Sequence, residues 1–205
     1  DAFRRREADI LVGTQMIAKG LDFPGVTLVG VISADTSLNL PDFRAGERTF
    51  QLLSQVAGRA GRGVESGEVV IQTFNPEHYA VVAAAAHDYT GFYEQEIERR
   101  GDTGFPPFSS IVNIVASDEK EAEAKRRLNE LVKKVNELTE TVDAEIEVSE
   151  PVPAPIAKVR GRYRWHVMLR SCDKDSLIRV VKQALDAIPS VRRGLSVDVD
   201  PSTML

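Results

Sequence analysis

Short apolar runs closed by glycine dominate the first part of the chain, whereas beyond residue 108 strand-like alternation and helical stripes follow one another in a regular order. Residues 9–13 and 26–32 are short and almost continuously apolar, and predict two buried parallel strands; residues 67–73 predict a third. Between the first two, residues 14–24 begin as a helical turn and stop at Gly20 and Pro24, giving a strand-to-loop crossover. Residues 33–45 lack a period and contain Asn39, Pro41 and Asp42, so they read as a long surface loop. Residues 47–56 have a helical period that places Phe50, Leu53 and Val56 on the side facing the sheet, and the glycines at 58, 61 and 63 end that helix.

The second half changes character. Residues 76–87 open with a proline suited to a first helical position and contain four consecutive alanines, which predicts a helix; a second is predicted over 90–100 from Phe92, Tyr93, Glu96 and Ile97. Gly104 and the Pro106-Pro107 pair break the period, so a domain boundary is placed at 101–107. Beyond it come a strand at 110–116 and a helix opened by an Asp118/Glu121 capping box, with Leu128, Leu131, Val132, Val135 and Leu138 on one stripe. A short strand at 144–148 leads into a stiff connection carrying prolines 151, 153 and 155. A strand at 162–169, a helix at 173–188 with Leu177, Val181, Leu185 and Ile188 inward, and a strand at 195–199 complete the set. The order β-α-β-β-α-β predicts a ferredoxin-like split βαβ domain, within an α/β chain whose first part is a parallel sheet.

With 205 residues the chain has room for two domains, and its formal charge of -5 excludes a uniformly basic nucleic-acid binder. Any such contact needs a local patch. Residues 158–170 supply one, with Lys158, Arg160, Arg162, Arg164 and Arg170 and no acid among them. Strand alternation sends Arg160, Arg162, Arg164 and His166 one way and Tyr163, Trp165, Val167 and Leu169 the other. Helices cover one face of a split βαβ sheet, so the aromatic face is expected to be buried, with Trp165 in the core rather than serving as a base-stacking platform. The arginine row then stays exposed, suited to a phosphate backbone or an acidic peptide, or simply solubilising an edge. The single cysteine, Cys172, excludes an internal disulfide and a cysteine-built zinc cluster, and His78, His87 and His166 lack metal-ligand spacing, so neither zinc nor another metal site is expected. No membrane span or signal peptide is legible, which predicts a cytoplasmic protein.

The densest chemistry lies in Gln55-Val-Ala-Gly-Arg-Ala-Gly-Arg-Gly63. Arginine offers a permanent charge and a planar fork of donors that matches phosphate oxygens, and glycine lets backbone N–H groups come close to a ligand. Gln55 and Arg59 are four apart on the predicted helix and share a face, with Arg62 on the turn beyond. The competing reading is a pair of cations meeting a helix dipole. Gly13, Thr14, Gly20 and Asp22 follow the carboxyl end of a predicted strand, where open α/β sheets bind ligands; turn chemistry alone would also place them there.

Gly13-Thr-Gln-Met-Ile-Ala-Lys-Gly-Leu-Asp-Phe-Pro24 and Gln55-Val-Ala-Gly-Arg-Ala-Gly-Arg62 resemble motifs V and VI of superfamily 2 helicases, in the wording of the PriA family of replication-restart DNA helicases. The similarity runs on to Asp198-Val-Asp-Pro201 and so covers essentially the whole chain. Nucleic-acid helicases of the DEAD-box kind usually carry histidine where this chain has Gln55. The resemblance implies a partial RecA-like second helicase lobe over 1–75, a helical connector over 76–107 and the ferredoxin-like domain over 108–205. It makes Arg62 an arginine finger on the γ-phosphate, Arg59 a second phosphate ligand, and Gln55 a link between nucleotide and lobe. Gly20 and Asp22 would approach the nucleotide, and Thr14 and Gln15 the DNA backbone. Lys158, Arg160, Arg162 and Arg164 would meet DNA or the acidic tail of single-stranded DNA-binding protein.

No phosphate-cradling Gly-x-x-x-x-Gly-Lys-Ser/Thr loop and no acidic magnesium motif occurs in these residues. The expectation is therefore the C-terminal piece of a longer ATP-dependent 3′ to 5′ DNA helicase, inactive in ATP hydrolysis by itself. ATP and Mg2+ would serve the full-length parent, whose partners would be forked and single-stranded DNA, single-stranded DNA-binding protein and other primosome proteins. The alternatives are a non-catalytic module that recruits replication partners and, more distantly, an RNA-directed relative.

Overall fold

The computed structural model describes residues 2, 3, 5, 7–14, 25–58 and 67–204. The chain is α/β and divides into two compact units, residues 1–98 and 99–205.

In the first unit β1 (Leu28–Val31) pairs in parallel with β2 (Glu68–Ile71), in the register Leu28 to Glu68 through Val31 to Ile71. Residues 9–13 form no strand, contrary to the sequence expectation, and Ile10 and Val12 are 79% and 80% exposed. An apolar run becomes a strand only where a ladder and a covered face receive it, and among the described residues β1 and β2 pair only with each other. Nor are those two strands buried: their side chains alternate between exposed and half-buried. Of the expected parallel lobe, the described residues thus show two strands.

Residues 33–45 are not an open loop. They contain the short helix α1 (Asp35–Leu38) and run into α2 (Ala45–Ala57), with Asp35 and Asp42 buried. The Asp35 carboxylate accepts from the Thr73 hydroxyl at 3.0 Å, the Phe74 N–H at 3.0 and 3.2 Å and the Asn75 amide at 3.3 Å, so it ties the end of β2 to α1. Burial opposes its ionisation, yet these donors outweigh burial and hold its carboxyl below the usual carboxylate value. Asp42 accepts from the Arg44 N–H at 3.0 Å and from Arg48 at 2.9 Å, securing the entry to α2.

Phe50 and Leu53 of α2 are buried mainly among helices rather than against a sheet. They meet Ala80, Val81 and Ala84 of α3 (Tyr79–Ala85) and Phe92 of α4 (Tyr89–Thr103), and the sheet adds only Val31 and Ile71. Phe50 and Phe92 stack with ring centroids 4.1 Å apart. Tyr79 donates to the buried Glu96 at 2.6 Å, and a Cβ at position 46 would sit 2.3 Å from that tyrosine oxygen, so glycine there makes the close approach possible. Helix α3 begins at Tyr79, later than its proline suggested, because the His78 ring nitrogen caps it by accepting from the Ala80 N–H.

The second unit is built on an antiparallel sheet of β3 (Ser110–Asp118), β4 (Glu147–Val148), β5 (Val152–Val159), β6 (Arg162–Ser171) and β7 (Leu195–Val199). β6 pairs with β3 on one side and with both β4 and β5 on the other, and β7 pairs with β3. With α5 (Glu121–Thr139) and α6 (Lys174–Ala187) this is the ferredoxin-like split βαβ arrangement that the order of elements predicts. Val112, Ile114, Val167 and Leu169 of the sheet, Leu128, Leu131 and Val135 of α5, and Leu177 and Val181 of α6 form its core. Burying each such side chain contributes roughly 1.5–3 kcal/mol.

Three local expectations change. The Asp118/Glu121 capping box does not form: β3 runs through Asp118, whose carboxylate accepts from the Lys120 N–H at 3.0 Å, and Glu121 reaches Trp165 instead. The proline segment is not a mere connection, since Pro153 and Pro155 lie within β5; an edge strand tolerates residues that cannot donate to a ladder. Finally, the sheet face away from the helices is not wholly open, because Ile111 and Asn113 on it are buried.

Candidate functional site

The sequence places candidate site residues in two regions. Thr14 is exposed, and Gln55 is exposed on the last turn of α2, which ends at Ala57 with Gly58 as its cap. Gln15, Gly20, Asp22, Arg59 and Arg62 lie outside the described residues. Among the described residues no group of three or more His, Cys, Asp or Glu could hold a metal ion.

The basic segment is fully described and forms the β5–β6 hairpin. Val159 pairs with Arg162, so Arg160 and Gly161 are the two turn residues, with φ of 49° and 83°. Both central residues at positive φ define the tight turn whose twist matches that of the flanking strands, and glycine suits the second position. Arg160 therefore does not belong to a strand row with Arg162 and Arg164, as alternation suggested; it projects from the tip.

Below the tip the ladder is irregular. Pro153 faces Trp165 and Lys158 faces Tyr163, so residues 154–157 of β5 all lie opposite Arg164. This bulge redirects side chains that a regular strand would have alternated. Arg164 donates to the Ile156 carbonyl at 3.4 Å, and Arg162 to the carbonyl and hydroxyl of Ser117 at 2.8 and 3.3 Å. Arg170, the last cation of the run, is committed elsewhere: it pairs with Glu147, donates to the Thr103 carbonyl and lies 5.1 Å over the Phe105 ring. Lys158, Arg160 and Arg162 are exposed and Arg164 is half-buried, so positive charge is presented mainly at the end of the hairpin.

The opposite face of the hairpin carries features that the sequence did not disclose. Tyr163 and Trp165 point to the helix side and are half-buried, with Trp165 at the margin of the core rather than inside it. Lys158 holds its ammonium 4.2 Å from the Tyr163 ring centroid, and Lys125 of α5 does the same to Trp165 at 4.9 Å. The indole N–H donates to Glu121 at 3.3 Å. Lys125 gave no sequence signal beyond a charged helix face. On the arginine side, His166 meets Asn113 at 3.2 Å; burial first and the Arg164 charge second push its pKa below the usual histidine value.

Behind this hairpin, at the foot of β3, Arg127 donates to Asp118 at 2.8 Å, to Glu123 at 3.1 Å and to the Arg193 carbonyl at 2.6 Å. With Arg126 also on it, Glu123 is held down to about 2. The network fixes the end of β3 against which Arg162 is tied.

Residues 101–202 match the family described as the primosomal protein N C-terminal domain, and residues 1–64 match the helicase conserved C-terminal domain. The chain belongs to the primosomal protein N, or PriA, family. Among PriA relatives, the replication restart protein PriA of Bacillus subtilis is 40% identical over 208 residues, covering 100% of this chain and 26% of that protein. The PriA of Synechocystis is 39% identical over 98% of this chain and 24% of its own length, and that of Treponema pallidum is 41% identical over 100% and 31%. The chain thus spans about a quarter to a third of the length of these PriA proteins. No helix among the described residues is long and apolar enough to cross a membrane.

Proposed function

We propose that this chain is the C-terminal part of a cytoplasmic, ATP-dependent 3′ to 5′ DNA helicase that restarts stalled replication forks and assembles the primosome. The observation that carries this reading is the succession, in one chain, of a helicase C-terminal domain match over 1–64 and a primosomal domain match over 101–202. ATP supplies the phosphoryl group whose transfer drives the motor. Arg62 neutralises charge on the γ-phosphate, Arg59 holds the same phosphates, and Gln55 joins them from the last turn of α2. Gly20 and Asp22 contribute to the nucleotide side, while Thr14 and Gln15 meet the DNA backbone. The phosphate-cradling loop and the acidic residues for Mg2+ belong to the parent's other lobe.

The hairpin is the DNA contact of the second unit. Lys158 and Arg160 supply its most available charge, supported by Arg162 and Arg164, and the acidic tail of single-stranded DNA-binding protein competes for the same cations. The arginine-finger assignment is tested by Arg62→Ala in the full-length parent. DNA-stimulated ATP turnover should fall by on the order of a thousandfold. Unchanged turnover would overturn the arginine-finger assignment.

A further inference from the structure

We propose that Tyr163 and Trp165 form a stacking platform for two successive bases of an unpaired nucleic-acid strand, with Lys158 and Lys125 as its phosphate clamps. This rests on the nucleic-acid reading of the hairpin and adds to it a second face with its own chemistry. The two rings occupy alternate positions of β6 and so lie on one side, roughly 7 Å apart along the strand. That spacing is about twice the 3.4 Å rise of stacked nucleotides, so a strand that uses both rings has to be unstacked and single.

Each ring carries a lysine ammonium over its face, at 4.2 and 4.9 Å. A lysine over a half-buried ring contributes about five- to thirtyfold, whereas a base stacked on an aromatic side chain contributes up to about 150-fold. A base therefore displaces the ammonium, and the freed lysine is left beside the phosphate that follows. The Glu121 carboxylate holds the indole N–H and sets the ring's orientation. The neighbouring hairpin tip, with Arg160 and Arg162 exposed, continues the positive path.

The chain contains one tryptophan, so its intrinsic tryptophan fluorescence reports Trp165 alone. The chain is titrated with an oligothymidylate of about twelve nucleotides, with an abasic strand of the same length, and with a duplex. Oligothymidylate should quench the tryptophan, and the abasic strand and duplex should leave it unmoved. Tyr163→Leu should weaken oligothymidylate binding roughly tenfold and leave abasic binding unchanged. Three results overturn the platform yet leave the phosphate contact standing: binding with no change in fluorescence, equal quenching by duplex, or equal weakening on both single strands. Absence of binding to every nucleic acid would overturn both.

Discussion

The Arg162 guanidinium donates to the main-chain carbonyl of Ser117 at 2.8 Å, which fastens the base of the hairpin tip to β3. Arg160, one residue past the other strand, sits in the turn itself. The two arginines therefore do different work. Arg160→Ala should lower the slope of log affinity against log salt for single-stranded DNA by about 0.7 and leave thermal stability unchanged. Arg162→Ala should cost about 1 kcal/mol of stability in urea as well, because the Ser117 contact goes with it. Equal effects on stability would contradict this division.

His166 sets a pH dependence. Its pKa in the folded chain lies below the usual value near 6.5, so its contribution to stability is complete above that value and is lost as pH falls through the lower, folded one. Melting temperature should decline as pH falls below about 6.5, and His166→Gln should flatten that decline. Glu123, held at about 2 against a usual 4.5, acts only at more acid pH and does not obscure the measurement.

Leu128 is fully buried between α5 and the sheet, whereas Ile156 on the bulge is 47% exposed. Leu128→Ala should destabilise the chain by about 2–5 kcal/mol in urea, and Ile156→Ala by less than about 0.5 kcal/mol. A large effect at Ile156 would mean that the bulge is packed in solution.

Asp35 accepts from three neighbouring donors and donates to none. Both Asp35→Ala and Asp35→Asn should lower the urea midpoint of the first unit, since alanine leaves the donors unmet and asparagine turns an amide N–H2 toward them. An asparagine variant as stable as the parent chain would show that the charge and its acceptors are dispensable.

How far the fold was legible follows the kind of contact that builds each part. The α5 stripe from Leu128 to Val135 and the alternation of Val112 and Ile114 are local periods facing one core, and the structure keeps them. The apolar run with Ile10 and Val12 shows the opposite case: the pattern of a strand is present, but among the described residues no ladder receives it. Asp35 was not singled out and Asp42 read only as a loop residue, because their partners Phe74 and Arg48 are fixed by folding and not by spacing. The arginine row failed at Arg160, where a two-residue turn overrides alternation, and the prolines of β5 hid an edge strand whose bulge no period announces. Trp165 was rightly placed on the helix side, but the lysine over it comes from a different element.

The turn at Arg160 sets solubility of form against strength of contact. A two-residue turn with both φ positive favours asparagine or glycine at its first position, and a long β-carbon-bearing side chain there is held at a cost. Exchanging Arg160 for asparagine would relax the backbone and remove the outermost charge in a single step. Selection for a tighter fold and selection for a firmer grip on an anion therefore pull this one residue in opposite directions, and a stabilised version of the domain obtained by that route would be a weaker binder.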